Sequence, residues 1–265
     1  MAKQHKNNLI TRVRRRIRAG MFSAGSYEFG SITVLAIVVG VVAGYGAIGF
    51  YLGIGALLEL GFGFPEHLLA TKAAGLPIWH IIAVPVIGGV IVGQLLRFLP
   101  THQTRSVPAV IEAAALHDGK IETKSGLISA AATVVSLGAG APLGREGPVV
   151  HLGATLAAFV TKTLHLNPAT ARTLLGCGVA SAVAASFNAP IAGVFFALEV
   201  IIGHYALHTF SPIVISAIAG TLVSRAHLGD FPAFQVAEYA ITSFWEFPAF
   251  FLLGIASALI AVIFM

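Results

Sequence analysis

The stretch Gly138–Val150, GAGAPLGREGPVV, decides the fold of this chain. Glycine and proline interrupt it repeatedly, and uncharged runs lie on both sides of it, Ser125–Leu137 before and Val149–Thr161 after. Each run is shorter than the roughly 20 residues that a helix needs to cross a bilayer. Paired short segments of this kind indicate a transport site at membrane depth. Irregular backbone is tolerated there only inside protein or around a wet cavity.

The residues of this stretch favour an anion site. The ionisable pair Arg145–Glu146 at membrane depth is a functional candidate. A helix is predicted to begin within Arg145–Pro148, because proline fits the first turn, and its free N–H groups and positive dipole end attract an anion. Gly144 and Gly147 let an ion approach the backbone closely, and Glu146 can occupy the site when no ion does. The alternative is a kinked helix junction with a structural Arg145–Glu146 pair.

Composition makes this an integral membrane protein. The 265 residues are 57% hydrophobic and only 10% charged, whereas a soluble domain carries about 25% charged residues. Segment 1–20 is predicted to be a basic cytoplasmic N-terminus, with Leu9–Arg18 as a helix on the inner membrane surface. Residues 21–265 then form the transmembrane domain, in a cell inner membrane. A nucleic-acid-binding arm is disfavoured because an uncharged span follows within a dozen residues.

Long uncharged runs predict the membrane helices, and a loop is predicted at Glu59–Pro77. These runs are Phe29–Leu58, Ala73–Leu96, Thr173–Leu198 with a break at Phe187–Pro190, Val200–Ser224 and Phe247–Met265. The segment Val107–Leu116 is too short to span. The last run stops without a cap or a cationic flank. We therefore expect the sequence to be truncated at its C-terminus.

Three motifs carry a resemblance to a known family. They are GREGP at Gly144–Pro148, the VVHLGA that follows it, and SFNAPIAGVFFALE at Ser186–Glu199. With them the chain resembles the first half of a CLC chloride channel or chloride/proton exchanger. The resemblance implies an all-α bundle of short, tilted and broken helices: one inverted-repeat half plus the start of the next helix. It also implies a homodimer with one pore in each subunit.

The resemblance assigns roles to particular residues. It implies that Glu146 is the external gating glutamate and that the backbone amides from Gly147 onward face the anion. It places the dimer interface in the helices around Asn188–His204 and Ser211–Ser224. The anion-binding set is therefore predicted to include Gly144, Arg145, Gly147 and Pro148.

Two positions depart from the family pattern. Where the family has Gly-Ser-Gly-Ile-Pro at its central anion site, this chain has Thr104–Pro108, TRSVP. Arg105 stands in place of the coordinating serine, and Ser106 offers a hydroxyl one residue later; the alternative is an ordinary basic helix start. Val200 occupies the position of the family's proton-relay glutamate, directly after Glu199, for which a structural or interfacial role is expected. Because valine cannot relay a proton, the sequence favours a channel.

The predicted function is chloride transport by a CLC-type anion channel gated by Glu146, with a monovalent anion, the bilayer and a second copy as partners. The alternatives are a chloride/proton or fluoride/proton exchanger and a truncated, non-transporting membrane fragment. No nucleotide loop, hydrolase triad or zinc signature is present, so we expect no enzyme activity, no cofactor and no nucleic acid. Four histidines lack metal-site spacing: His151, His165, His204 and His208.

Overall fold

The computed structural model describes residues 25–100, 102–230 and 243–264, so the predicted helix Leu9–Arg18 and the basic segment 1–20 lie outside it. Every regular element in these ranges is helical, which confirms the all-α prediction. The α-helices are α1 Gly25–Phe62, α2 Glu66–Lys72, α3 Ile78–Leu96, α4 Val107–Leu116, α5 Thr123–Gly138, α6 Glu146–Leu164, α7 Pro168–Phe187, α8 Pro190–Phe196, α9 Leu207–Leu228 and α10 Glu246–Phe264. A 3₁₀ turn, Ala73–Gly75, follows α2, and a π-helical turn, Ala197–Ile202, follows α8.

Five helices of the described residues are long and apolar enough to cross a membrane. They are α1 from Gly30 onward, α3, α7, α9 and α10. Together with the short apolar helix α4 and the segment Pro190–Ile202, they give the mixture of spanning and partial segments that the sequence predicts. The chain is therefore a multi-pass integral membrane protein.

The predicted loop Glu59–Pro77 is wrong in part. Helix α1 continues to Phe62, and the loop contains helix α2. Pro65 precedes α2 in an extended conformation, with ψ 156°, and an acidic first turn at Glu66 and a basic last turn at Lys72 match the helix dipole. These end charges stabilise a short helix within a segment whose glycines and prolines predict a loop.

Helix α7 is the centre of the helical core. Thirteen of its residues are buried, among them Leu174, Leu175 and Cys177, all 0% exposed. It packs against α1, α6, α8 and α9. Its crossing with α6 is close because Gly178 faces Gly153, and a side chain on either glycine would meet the backbone oxygen of the other. Small residues at a crossing of this kind bring membrane helices into direct backbone contact.

The break after α7 is stabilised by polar contacts. Asn188 ends the helix in the left-handed conformation, φ 51°, which asparagine tolerates better than most residues. Its side chain accepts a hydrogen bond from Arg225 Nε at 2.8 Å and donates one to Asp230 at 3.0 Å. The turn is thereby fixed to the C-terminal end of α9.

Helix α10 belongs to a separate compact unit, Phe234–Met265, of which residues 243–264 are described. Glu246 begins this helix, and its carboxylate accepts a hydrogen bond from the backbone N–H of Ser243 at 3.1 Å. This reciprocal type of cap satisfies a main-chain donor at the helix start.

Candidate functional site

The N-terminus of α6 presents unpaired main-chain donors. The helix begins at Glu146, and the backbone N–H of Val149 donates to Arg145 O at 3.2 Å. The N–H groups of Glu146 and Gly147 precede this bond and have no acceptor among the described residues. Pro148 carries no N–H and fits the first turn without loss of a hydrogen bond. Two donors and the positive end of the helix dipole are therefore available.

Helix α4 brings a hydroxyl to the same place. Ser106 is the N-cap residue of α4, with an extended backbone, and its side chain makes no capping hydrogen bond to its own helix. A Cβ built on Gly147 would lie 3.1 Å from Ser106 Cβ and 3.8 Å from Ser106 Oγ. Two helix N-termini, separated by about forty residues of sequence, thus meet at a contact that only glycine permits at this distance. We call this contact the α4–α6 junction.

Arg105 is held one residue before the junction. Its backbone N–H donates to Ser129 Oγ of α5 at 2.8 Å, and its side chain is half-buried. This bond fixes the main chain that leads into α4. Of the two residues predicted to replace the family's serine, Ser106 is therefore the one in contact with Gly147.

Glu146 is exposed and its carboxylate is not used in the helix cap. Its Oε2 lies 2.5 Å from the position that a Cβ on Gly144 would take, so the side chain folds back over Gly144. No hydrogen bond or ion pair of Glu146 occurs within the described ranges. Two of the predicted site residues, Gly144 and Glu146, are thus in direct proximity.

The alternative structural pair, Arg145–Glu146, is not formed between the described side chains. The guanidinium carbon of Arg145 instead lies 5.7 Å from the ring centroid of Tyr51 on α1, a cation–π contact. Arg145 therefore leaves the Glu146 carboxylate free to move, while its own positive charge stays next to the start of α6.

His151 is a candidate that the sequence reasoning treated as a packing residue. It is 2% exposed, and its Nε2 has no hydrogen-bond partner among the described residues. It lies one turn after Gly147 on the same side of α6. One turn further, Thr155 contacts Gly126 of α5. His151 is therefore placed on the face of α6 that meets α4 and α5, and its spacing of four residues from Gly147 was the signal available in the sequence.

Val200 and Glu199 lie on the π-helical turn Ala197–Ile202, away in sequence from the junction. Val200 is 39% exposed, and Glu199 accepts a hydrogen bond from the Tyr205 hydroxyl at 3.4 Å. No group of three or more metal-binding side chains is found in the part of the chain that the structure describes. His204 and His208 instead line a cavity near the start of α9.

These features define a class: an all-helical, multi-pass membrane protein in which broken helices direct their N-termini to one polar junction. The chain belongs to the voltage-gated chloride channel family, whose model, described as "Voltage gated chloride channel", matches residues 88–265. This confirms the resemblance to the CLC family.

Relatives of known name support the same assignment. A voltage-gated ClC-type chloride channel, ClcB, of Escherichia coli O139:H28 is 30% identical over 72% of this chain and 46% of its own length. Chloride channel protein CLC-e of Arabidopsis thaliana is 33% identical over 69% of this chain and 26% of its own length. The chain thus spans about half the length of the bacterial relative.

Solved structures show the same fold. A CLC-type fluoride/proton antiporter superposes with a TM-score of 0.67 at 25% identity, over 88% of this chain and 56% of that chain. A slow cyanobacterial Cl⁻/H⁺ antiporter superposes with a TM-score of 0.68 at 22% identity, over 85% of this chain and 53% of that chain. The CLC-type bundle predicted from the sequence is confirmed.

Proposed function

We propose that this chain contributes one half of a chloride pathway in a CLC-type channel, with the anion bound at the α4–α6 junction and Glu146 as its gate. The observation that carries the proposal is the contact of Ser106 with Gly147 beside the unpaired N–H groups of α6. A hydroxyl and two amides at a place where the N-termini of two helices lie close together are suited to a small anion. Chloride is the substrate we favour because the named relatives are chloride channels.

Further side chains add to the attraction for an anion. Arg105 and Arg145 place one positive charge before each of the two helix starts, which raises the local potential for anions. His151 can donate a hydrogen bond from its unpartnered Nε2 to an anion one turn inside the junction. In this proposal Ser106 takes the role of the family's coordinating serine.

The gate follows from the position of Glu146. Its carboxylate competes with chloride for the same N–H groups, because both are anions attracted by one helix N-terminus. The carboxylate rests over Gly144, two residues before these groups, with no hydrogen bond in the described residues to hold it there. A rotation of the side chain closes the site, and protonation of the carboxyl group removes the competition.

Passive conduction is favoured over exchange because Val200 cannot carry a proton. Exchange is the second candidate, supported by structural neighbours described as Cl⁻/H⁺ and F⁻/H⁺ antiporters. Reversal potentials measured under a proton gradient separate the two. A shift with pH indicates exchange, and no shift indicates a channel. Substitution of fluoride for chloride in the same recording determines the preferred anion.

A homodimer is part of the proposal. Large apolar side chains are exposed on α8 and α9, within the two predicted interface segments: Ile191, Phe195, Ile218 and Leu222. A second copy would cover them in the dimer that the family resemblance implies. We also propose that the N-terminus is cytoplasmic, on the basis of its cluster of Lys and Arg, and that transport proceeds without covalent chemistry.

The test is Glu146→Gln, which removes the charge and keeps the size. In proteoliposomes that contain the longest expressed form of the protein, wild-type chloride flux should fall as external pH rises and the Glu146 carboxyl group ionises. The variant should conduct at every pH at least as well as the wild type does at acidic pH. Glu66→Gln, at another exposed glutamate in the first turn of a helix, should behave as the wild type.

Two results would contradict the proposal. One is Glu146→Gln flux that still decreases steeply at alkaline external pH, which assigns the gate elsewhere. The other is absence of chloride flux from the folded wild-type protein, which leaves the non-transporting fragment as the better description.

A further inference from the structure

A cavity lies at the end of the bundle where α4 ends and α7 and α9 begin. Its volume is about 290 Å³. The lining residues come from α4, α7, the π-helical turn, the connector that follows it and α9: Ala114, Ala115, Ala169, Arg172, Thr173, Ile202, His204, His208 and Thr209. The cavity is separate from the α4–α6 junction, because none of its lining residues belongs to that junction.

Hydrogen-bond donors dominate the polar part of this cavity. Arg172 brings a guanidinium group, and His204 and His208 bring two imidazole rings that have no hydrogen-bond or ion-pair partner in the part of the chain described here. No carboxylate is among the lining residues. Such a set of donors, with acceptors absent from the wall, is complementary to an anion with several oxygens.

Thr209 adds a hydroxyl to the cavity wall. The residue is 3% exposed overall, and its hydroxyl makes no hydrogen bond within the described ranges. The hydroxyl is not one of the fully buried unpartnered atoms of the described residues, so it is open to the cavity. It can therefore donate a hydrogen bond to a ligand there.

One counter-charge lies next to the cavity. Arg172 Nη2 donates to Asp118 at 2.6 Å, and the turn that contains Asp118 packs on α7 because Gly119 lies against Ala171. A guanidinium group has five N–H donors, so this bond leaves others for a ligand. Asp118 therefore orients Arg172.

The rest of the cavity wall is apolar, and this indicates which class of anion would fit. Ala114, Ala115, Ala169 and Ile202 form the rest of the lining. A bare inorganic ion would leave these carbon atoms against water, whereas an anion attached to an organic group would cover them. The geometry points to a phosphate ester, bound by Arg172, His208 and Thr209, with its organic part against the alanines.

Two sources carry this chemistry: an anionic phospholipid headgroup and a soluble phosphate ester. Basic pockets between membrane helices on the cytoplasmic side are known to bind lipid phosphates. Binding itself does not depend on conduction, so failure of one leaves the other intact.

The experiment measures binding to the full chain in detergent micelles by calorimetry. Three probes are titrated: inorganic phosphate, AMP as a soluble ester, and a short-chain phosphatidic acid as the lipid. We expect one of the two esters to bind more tightly than inorganic phosphate. Tighter binding of phosphatidic acid identifies a lipid site, and tighter binding of AMP identifies a soluble ligand.

Variants connect the binding to this cavity. His208→Asp and Thr209→Val should each weaken ester binding by about tenfold, since each removes a hydrogen bond to a charged group. His165→Asp is the matched control, an exposed histidine outside the cavity whose left-handed backbone, φ 55°, accepts aspartate. Circular dichroism verifies that every variant is folded. Absence of ester binding to the wild type, or equal binding to the cavity variants and the control, would overturn the inference.

Discussion

Polar groups are hydrogen-bonded in the core around α7, whereas several lack partners among the described residues at the α4–α6 junction. In the core, three buried serine hydroxyls are bonded to main-chain carbonyls of neighbouring helices. Ser181 donates to Gly40 at 2.6 Å, and Ser216 donates to Cys177 at 2.9 Å. Ser224 completes the set with a bond of 2.7 Å to a carbonyl of α7. These hydroxyls connect α1, α7 and α9 without leaving a polar atom unpaired.

At the junction, polar groups remain without partners among the described residues. They are the first N–H groups of α6, the Glu146 carboxylate and His151 Nε2. All lie within two turns of one helix. Both regions use glycine for close approach, Gly153 and Gly178 in the core and Gly147 at the junction.

The comparison distinguishes glycines and polar groups that stabilise the fold from those that are available to bind a ligand. A buried polar group that is fully bonded stabilises one arrangement, whereas an unpaired one costs stability unless a ligand pairs with it. Changes in the core should therefore alter folding and leave anion affinity unchanged. Substitutions at the junction should alter anion affinity and leave folding unchanged.

The largest effect is expected at the core crossing. Gly178→Ile places a branched side chain against the Gly153 carbonyl, which is backbone and cannot move aside. Overpacking of this kind costs about 3 kcal/mol or more, enough to abolish the monodisperse peak in size-exclusion chromatography. Gly89→Ile on α3, where an added Cβ meets no atom within 4 Å, is the control and should elute as the wild type. Normal folding of Gly178→Ile would mean that the crossing is loose.

The next effect tests the junction. His151→Leu removes the unpartnered Nε2 and keeps the approximate volume, so thermal stability should be unchanged or higher. Chloride affinity measured by calorimetry should fall about tenfold, because a hydrogen bond to a charged ligand is lost. His151→Gln retains an N–H donor and should recover part of the affinity. A His151→Leu protein that unfolds readily but binds chloride normally would place His151 with the core residues instead.

A smaller effect is expected for a bonded hydroxyl. Ser181→Ala removes the hydrogen bond to Gly40 and should lower the free energy of unfolding by about 1 kcal/mol, with no change in chloride affinity. Ser136→Ala on α5 is the control, since the Ser136 hydroxyl makes no hydrogen bond within the described residues. Thermal melts of both variants in the same detergent give the comparison. An altered chloride affinity in Ser181→Ala would show that the two regions are coupled.

The sequence predicted the helix starts better than the loops. The glycines and proline of GREGP mark the start of α6, and Pro108 marks the start of α4. Proline is favoured in the first turn of a helix and disfavoured in its interior. Helix α2 was missed because its stability comes from end charges and not from a periodic apolar pattern. His151 was missed because its spacing of four residues from Gly147 does not tell whether its ring nitrogen is paired, which is a property of the packed structure.

The contact of Ser106 with Gly147 also required the structure. Two residues 41 positions apart become neighbours only when α4, α5 and α6 pack together, and sequence spacing carries no information on that packing. The partner of Arg145 illustrates the same limit. Its neighbour in sequence is a carboxylate, yet the guanidinium group lies by the ring of Tyr51.

The smallest and most specific effect concerns Gly144. A methyl group at this position would occupy the space of the Glu146 carboxylate, which is the flexible end of a side chain and can move. Gly144→Ala should therefore drive Glu146 out of its open position toward the N–H groups of α6. The cost of displacing a side chain from its preferred rotamer is about 0.5–1.5 kcal/mol, so chloride flux at alkaline pH should fall roughly two- to tenfold.

The double variant Gly144→Ala/Glu146→Ala separates this displacement from a general disturbance of the loop. Without the carboxylate, the added methyl group has nothing to displace, so flux should equal that of Glu146→Ala alone. Thermal stability should be similar in all three proteins, since neither position lies in the core. The contrary result is that Gly144→Ala reduces flux equally in the Glu146→Ala background. The methyl group would then act on the anion pathway itself, and Gly144 would line the pathway instead of holding the open position of the Glu146 side chain.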